Sequence, residues 1–329
     1  MPQTLGIHHV TAIAGDAQRN LDFYAGVLGM RLVKRTVNFD DPGTYHFYFG
    51  DERGTPGSLI TFFPWASARR GRIGARQVGV TRFAISPASI GWWVHRLIAS
   101  GVSHEMPARR GDEQVIAFTD PDGLLLELVA HPASTSRGAW ERGAVAPEHA
   151  IRGLHSVQLW VASPDATAET LEAIGFRAAG ERDGVARFAA GDEGPGALVD
   201  VRALGGFPDG VGGVGTVHHV AFRAAGDDEE LALREIASSR GLRPTAVLDR
   251  SYFRSVYFRE PGGVLFEIAT DGPGFAIDEP LDALGSTLRL PPQYEASRAA
   301  IEASLPPAHL PRGGASAQDS SMTFVESSQ

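Results

Sequence analysis

Four stretches of the chain repeat one order of hydrophobic periods: a strand-like apolar run, an amphipathic helical segment, then further short strand-like runs. In the first stretch, residues 5–13 read as a strand and 17–30 as a helix. Leu21, Tyr24, Val27 and Leu28 fall at helical spacing there, and Gly29 is the stop signal. Runs at 31–39, 44–49 and 58–63 read as strands. The second stretch places a strand at 77–85 and a helix at 89–100, with Ile90, Trp93, Val94 and Leu97 on one side; strands follow near 115–118 and 124–129. The third has a strand at 154–161, a helix at 165–174 and strands near 187–190 and 197–201. The fourth has a strand at 217–223, a helix at 228–239 and strands near 255–259 and 264–269. Residues 120–127 (DPDGLLLE) match residues 260–267 (EPGGVLFE), each a turn feeding a strand that carries an acid. A repeat this long indicates duplicated units rather than a solenoid.

The pattern predicts an α+β protein of four βαβββ modules in two halves. Residues 1–131 hold the first pair of modules and 154–272 the second. Residues 132–153, rich in Ala, Ser, Gly and Pro, read as the linker, and 273–329 as a C-terminal extension. A short helix is expected at 294–304, and the Ser- and Gly-rich tail from residue 311 reads as disordered.

Composition narrows the chemistry. The chain has 329 residues, with 30 basic against 39 acidic side chains, a net charge of −9. An acidic chain is a poor binder of nucleic acid or of anionic membranes. No run reaches the roughly 18 apolar residues of a membrane span, and the first residues lack a secretory pattern. Cysteine is absent, which removes disulfides, thiolate nucleophiles, iron–sulfur clusters and cysteine zinc sites. All of this suits a cytoplasmic protein; a homo-oligomer is compatible with it. No Gly-rich phosphate loop stands between a strand and a helix. Trp92 and Trp93 read as packing residues, and Arg69, Arg70 and Arg72 as a solvated loop.

The remaining metal-ligating types are His, Asp and Glu. Two histidine pairs, His8 with His9 and His218 with His219, lie on the first strands of modules one and four, and Glu267 lies on the last strand of module four. Strand alternation predicts one inward histidine per pair. Two imidazoles and one carboxylate make a facial set with open positions, as non-heme Fe(II) oxygenases require. Glu127 and Asp200 fall at positions like that of Glu267, and His155 is level with the first histidine of each pair. Module two has no histidine on its first strand, so a site built from modules two and three would lack ligands.

The motifs GIHHVT (6–11), FY (23–24), RLVKRTV (31–37), YHFYF (45–49), GTPG (54–57), RGLHS (152–156), VHHVAF (217–222) and PGGVLFE (261–267) together carry a resemblance. The chain resembles the vicinal-oxygen-chelate superfamily of glyoxalases, bleomycin-resistance proteins and extradiol dioxygenases. Within it, the resemblance is strongest to ring-cleaving dioxygenases acting on hydroquinones. It spans residues 5–269 and implies mixed-sheet, barrel-like metal sites. It implies Fe(II), with Mn(II) as the alternative, on His9, His219 and Glu267, with His8, Thr11, His218, Arg250 and Tyr257 as the catalytic polar groups around them. The substrates implied are a small aromatic and O2. Catechol-cleaving relatives would use a module-three histidine instead, giving a rival triad of His155, His219 and Glu267. That register is one residue off, and the doubled motif at His8 and His9 favours the first set. Two other readings remain: a glyoxalase-type lyase or isomerase, which wants a second acid where Thr61 stands, and a non-enzymatic small-molecule binder.

Overall fold

The computed structural model describes residues 2–191 and 194–311. Module one comprises β1 (Ile7–Ala14), α1 (Ala17–Leu21), β2 (Arg31–Val37), β3 (Tyr45–Gly50) and β4 (Leu59–Pro64). Module two comprises β5 (Gln77–Ile85), α2 (Ile90–Ala99), β6 (Ala108–Arg110), β7 (Glu113–Thr119) and β8 (Leu125–Ala130). Module three comprises β9 (Leu154–Val161), α3 (Asp165–Ala173), β10 (Arg177–Arg182), β11 (Val185–Ala189) and β12 (Leu198–Ala203). Module four comprises β13 (Thr216–Ala224), α4 (Asp227–Ser239), β14 (Leu248–Asp249), β15 (Phe253–Arg259) and β16 (Leu265–Pro273). A final helix, α5 (Arg298–Ser304), lies in the C-terminal extension. The expected tail from residue 311 falls, apart from Pro311, outside the described residues.

The α+β class and the four βαβββ modules are as the sequence predicts. The strands form two mixed eight-stranded sheets, each curled into a half-barrel. Their orders are β14-β15-β16-β13-β1-β4-β3-β2 and β10-β11-β12-β9-β5-β8-β7-β6. Each sheet therefore joins modules from different halves of the chain: one with four, and two with three. Within a module the first strand lies parallel to the last, as β1 to β4 and β13 to β16. Between modules the two first strands pair antiparallel, β1 with β13 and β5 with β9.

Local chemistry explains the element ends. Asp16 caps α1 by accepting from the Arg19 backbone N–H at 2.7 Å. The helix continues as a π-helical turn over Asp22–Val27 and stops at Gly29, whose φ of +68° is left-handed. A Cβ at Gly29 would lie 2.5 Å from Val145, so only glycine fits. The matched turns of modules two and four are built alike. Asp120 Oδ1 accepts from the N–H groups of Asp122 and Leu124. Glu260 accepts in the same way from Gly262 and Val264. Each acid also takes a hydroxyl from the helical segment of the preceding module, Tyr24 on Asp120 at 3.2 Å and Thr167 on Glu260 at 2.7 Å. The two sheets are thus locked together by a repeated contact.

Residues 132–153 hold no strand; Arg137 donates to the carbonyls of Leu154 and Gly57, and Arg152 to those of Arg137 and Pro147. The extension beyond β16 lies over module one. Lys34, fully buried, donates to Asp278 at 2.6 Å and to Glu279 at 2.5 Å, and Arg289 N–H bonds to the Arg35 carbonyl. Trp93 is buried in the core and Trp92 stacks on His149, so both pack as expected. Among the described residues, no helix is long and apolar enough to cross a membrane.

Candidate metal centre

The junction of β1 and β13 has two β-bulges. Ile7 pairs with Phe222 and His9 with Ala221, which leaves His8 as the extra residue on β1. Thr11 pairs with His219 and Ala12 with Val217, which leaves His218 as the extra residue on β13. A bulge re-aims a side chain that strict alternation would send to the other face. For the first pair the expectation of one inward histidine is corrected accordingly, since His8 is buried beside His9; in the second pair His219 is buried and His218 exposed. The rings of His8 and His9 both lie near Phe253, at 5.1 and 5.2 Å. His8 Nδ1 is 2.9 Å from His9 Nδ1, and His218 Nδ1 is 2.7 Å from His219 Nδ1.

These contacts occupy the Nδ1 side of His9 and His219 and turn their Nε2 atoms inward. His219 Nε2 lies 2.8 Å from Glu267 Oε2, His9 Nε2 lies 3.3 Å from the same oxygen, and the two Nε2 atoms are 3.3 Å apart. The three donor atoms lie within 4.8 Å of one another, and all three residues are buried. Glu267 comes from β16, where it faces Ala221 of β13 and Tyr257 of β15. Its other oxygen, Oε1, accepts from Ser255 Oγ at 2.5 Å.

The electrostatics suit a cation. Burial pushes the Glu267 carboxyl up, but His9 and His219 beside it outweigh burial and hold it well below the usual carboxylate range. Burial lowers the imidazole of His219 despite Glu267, and burial with His219 beside it pushes His218 down to about 3. One carboxylate and neutral imidazole lone pairs aimed at one point form a donor set that a divalent cation satisfies.

The other expected residues gather around this point. Thr11 is the register partner of His219 and, on its other side, of Thr61. The Tyr257 ring lies 5.5 Å from that of His219, and burial raises its hydroxyl pKa. The Arg250 guanidinium lies 5.5 Å over both Tyr257 and Phe39, with Asp40 at 3.3 Å.

Sequence reasoning passed over Ser255, Phe253, His46 and Tyr48. Thr61 Oγ1 bonds to Thr11 Oγ1 at 2.8 Å and to His46 Nε2 at 2.9 Å, and the Tyr48 hydroxyl lies 2.9 Å from His46 Nδ1. The alternation of β3, which puts His46 and Tyr48 on one face, was a usable signal.

The second sheet repeats this layout without ligands. Its bulges fall at Gly79 and His155, so Val80 and Ser156 stand where His9 and His219 stand. By register, Glu127 and Asp200 match Glu267, and Thr61 fills that position in module one. Arg82 bridges the two acids, at 2.5 Å from Glu127 and 2.6 Å from Asp200. The rival triad does not form: His155 lies on this other sheet, against Ser156 and Glu113. A cavity of about 790 Å³ opens here, beside Arg82, Arg110 and Arg187. Those arginines engage Glu127, Asp200 and Glu113.

The model of the Glyoxalase/Bleomycin resistance protein/Dioxygenase superfamily matches residues 6–128 and 153–268. The chain is 48% identical over 309 residues to the "Putative ring-cleaving dioxygenase MhqO" of Bacillus subtilis (strain 168), covering 93% of this chain and 97% of that protein. It is 34% identical over 302 residues to the "Chlorohydroquinone/hydroquinone 1,2-dioxygenase" of Sphingobium indicum, covering 88% of this chain and 92% of that one. A crystal structure of a "putative dioxygenase" from Bacillus subtilis superposes with a TM-score of 0.90 at 46% identity, over 94% of this chain and 99% of that chain. With its modules, its bulged histidine strands and these whole-length likenesses, the chain belongs to the Glyoxalase/Bleomycin resistance protein/Dioxygenase superfamily.

Proposed function

We propose that the chain is an Fe(II)-dependent, extradiol-type ring-cleaving dioxygenase that opens a hydroquinone or related phenol with O2, next to the hydroxyl-bearing carbon. The observation that carries this reading is the convergence of His9, His219 and Glu267 in a buried cup that also holds hydroxyl, imidazole and guanidinium groups. The names of the whole-length relatives support the reaction class.

In this reading His9 Nε2, His219 Nε2 and a Glu267 oxygen would hold the metal. When bound, Fe(II) supplies a Lewis-acidic, redox-active centre that eases deprotonation of a phenol and conveys electrons to O2. The chain's own groups do the rest. Phe253 and Phe63 give apolar walls beside His9 and His218. A hydroquinone has no adjacent hydroxyl and cannot bind through two oxygens, so positioning falls to side chains. Arg250 carries the positive charge that faces negative charge developing on the substrate. His218 and the Tyr257 hydroxyl are the proton carriers: the Tyr257 ring lies 5.5 Å from that of His219, and His218 Nδ1 lies 2.7 Å from His219 Nδ1. Thr61, a hydroxyl already engaged by Thr11 and His46, stands where a lyase of the glyoxalase type would need an acid, which counts against that reading.

Oxygen uptake by anaerobically Fe(II)-reconstituted protein, with hydroquinone, chlorohydroquinone or catechol, tests the proposal; uptake with none of them ends it. His219→Ala is expected to lose iron, whereas Tyr257→Phe keeps iron and turns over more slowly.

A further inference from the structure

A buried hydrogen-bonded chain runs from Tyr48 to His46 to Thr61 to Thr11, with links of 2.9, 2.9 and 2.8 Å. It crosses from β3 through β4 to β1 and ends beside His219, the register partner of Thr11. Each link is amphoteric, so the chain has two directions, and its far end selects one. The Tyr48 side chain is buried, and its ring packs against those of Tyr252, Phe253 and Phe275. His46 Nδ1 is the hydrogen-bond partner described for it. A buried O–H left without an acceptor is costly, so Tyr48 donates and Nδ1 accepts. The proton of His46 is then on Nε2 and is donated to Thr61. Thr61 in turn donates to Thr11 Oγ1. The hydroxyl proton of Thr11 is left over, on the face that carries His219. Burial supports this order, since it pushes the His46 imidazole down and the Tyr48 hydroxyl up, keeping both neutral.

We propose that His46 and Tyr48 are positioning residues that fix Thr11 as a hydrogen-bond donor toward the substrate oxygen at the open face of the His9–His219–Glu267 site. The role in turnover rests on the dioxygenase reading above; the polarity of the chain does not. Thr11 donates to a deprotonated phenol oxygen, and it cannot compete as a proton acceptor while Tyr48 holds His46 in the Nε2–H tautomer. This selects phenolate-bearing rings over aryl ethers, which carry less charge on the oxygen.

Imidazole ¹⁵N shifts of the metal-free protein test the polarity, with His46→Gln assigning the signal. The expected spectrum has His46 protonated at Nε2 and bare at Nδ1, and Tyr48→Phe mixes the tautomers. A proton on Nδ1 in the wild type overturns the proposal. In the iron-loaded enzyme, Tyr48→Phe and Thr11→Val are each expected to lower kcat/KM by about tenfold at unchanged iron content. The double variant should lose no more than either single one, and Thr11→Ser should restore activity. Additive losses would mean that the two residues act separately and overturn the coupling. No oxygen uptake by wild type, with the Nε2–H tautomer present, would overturn the dioxygenase reading and the turnover role with it, while leaving the chain's direction established.

Discussion

Ser255 donates its hydroxyl to Glu267 Oε1 at 2.5 Å, and that single bond decides which carboxylate oxygen faces the two imidazoles. With Oε1 held, Oε2 is the atom turned to His9 and His219. Ser255→Ala frees the carboxylate to rotate. Removing such a partner of a ligand commonly costs 10–100-fold in metal affinity. The variant should fold, and a titration with Fe(II) or Mn(II) under anaerobic conditions should show affinity weaker by about tenfold or more. Unchanged affinity would mean that Ser255 does not orient the ligand.

His155 separates the two candidate triads. It is buried against Ser156 and Glu113 on the second sheet. His155→Gln should therefore keep full metal stoichiometry, whereas His9→Gln should lose it. Metal analysis of the two purified variants reads the difference directly.

In the second sheet, Arg82 holds Glu127 and Asp200, all three with little solvent exposure. Removing one partner of a buried ion pair costs on the order of 3–5 kcal/mol, because a charge is left uncompensated. Arg110 still engages Glu127 and Arg187 still engages Asp200 when Arg82 is removed, so Arg82→Met should lower stability in urea unfolding by less than that amount, while the triad of the other sheet is left intact.

Glu230, near the start of α4, is fully buried, and neither carboxylate oxygen has a hydrogen-bond partner among the described residues. Burial raises its pKa to about 7. The folded state therefore holds a proton that the unfolded chain has released, between the ordinary carboxyl pKa and about 7. The Glu230 contribution to stability is favourable in acid, falls as pH rises through that window, and is a full penalty above it. Glu230→Gln should raise Tm at pH 8 by on the order of a few °C and change it little at pH 5. Scanning calorimetry at the two pH values checks the sign.

Much of this was legible in the sequence, for a physical reason. The first strands of the modules are buried on both faces and flanked by glycine turns, so they announce themselves as apolar runs. The edge strands do not: β10 is exposed along its whole length, and β6 is a short, mostly exposed Arg-rich strand. Neither has a buried face to impose a period, and both escaped the pattern. The triad was readable from the doubled histidines and the repeated turn before Glu267. The direction of His8 was not, because a bulge is a property of pairing between two strands and leaves no mark on either alone. Ser255, His46 and Tyr48 matter through partners far away in sequence, which a one-dimensional reading cannot supply.

Because β1 pairs with β13, His9 meets a histidine 210 positions later in the chain, and the carboxylate lies further on still. The sheet that holds the metal is closed by the first and last modules, with the other sheet folded from the chain between them. Synthesis on the ribosome therefore delivers the second sheet's strands complete while the first sheet still waits for half of its own. Until β16 emerges there is no three-donor set to capture an ion. The module order makes the site a late product of folding, and a prematurely ended chain cannot carry the assembled triad.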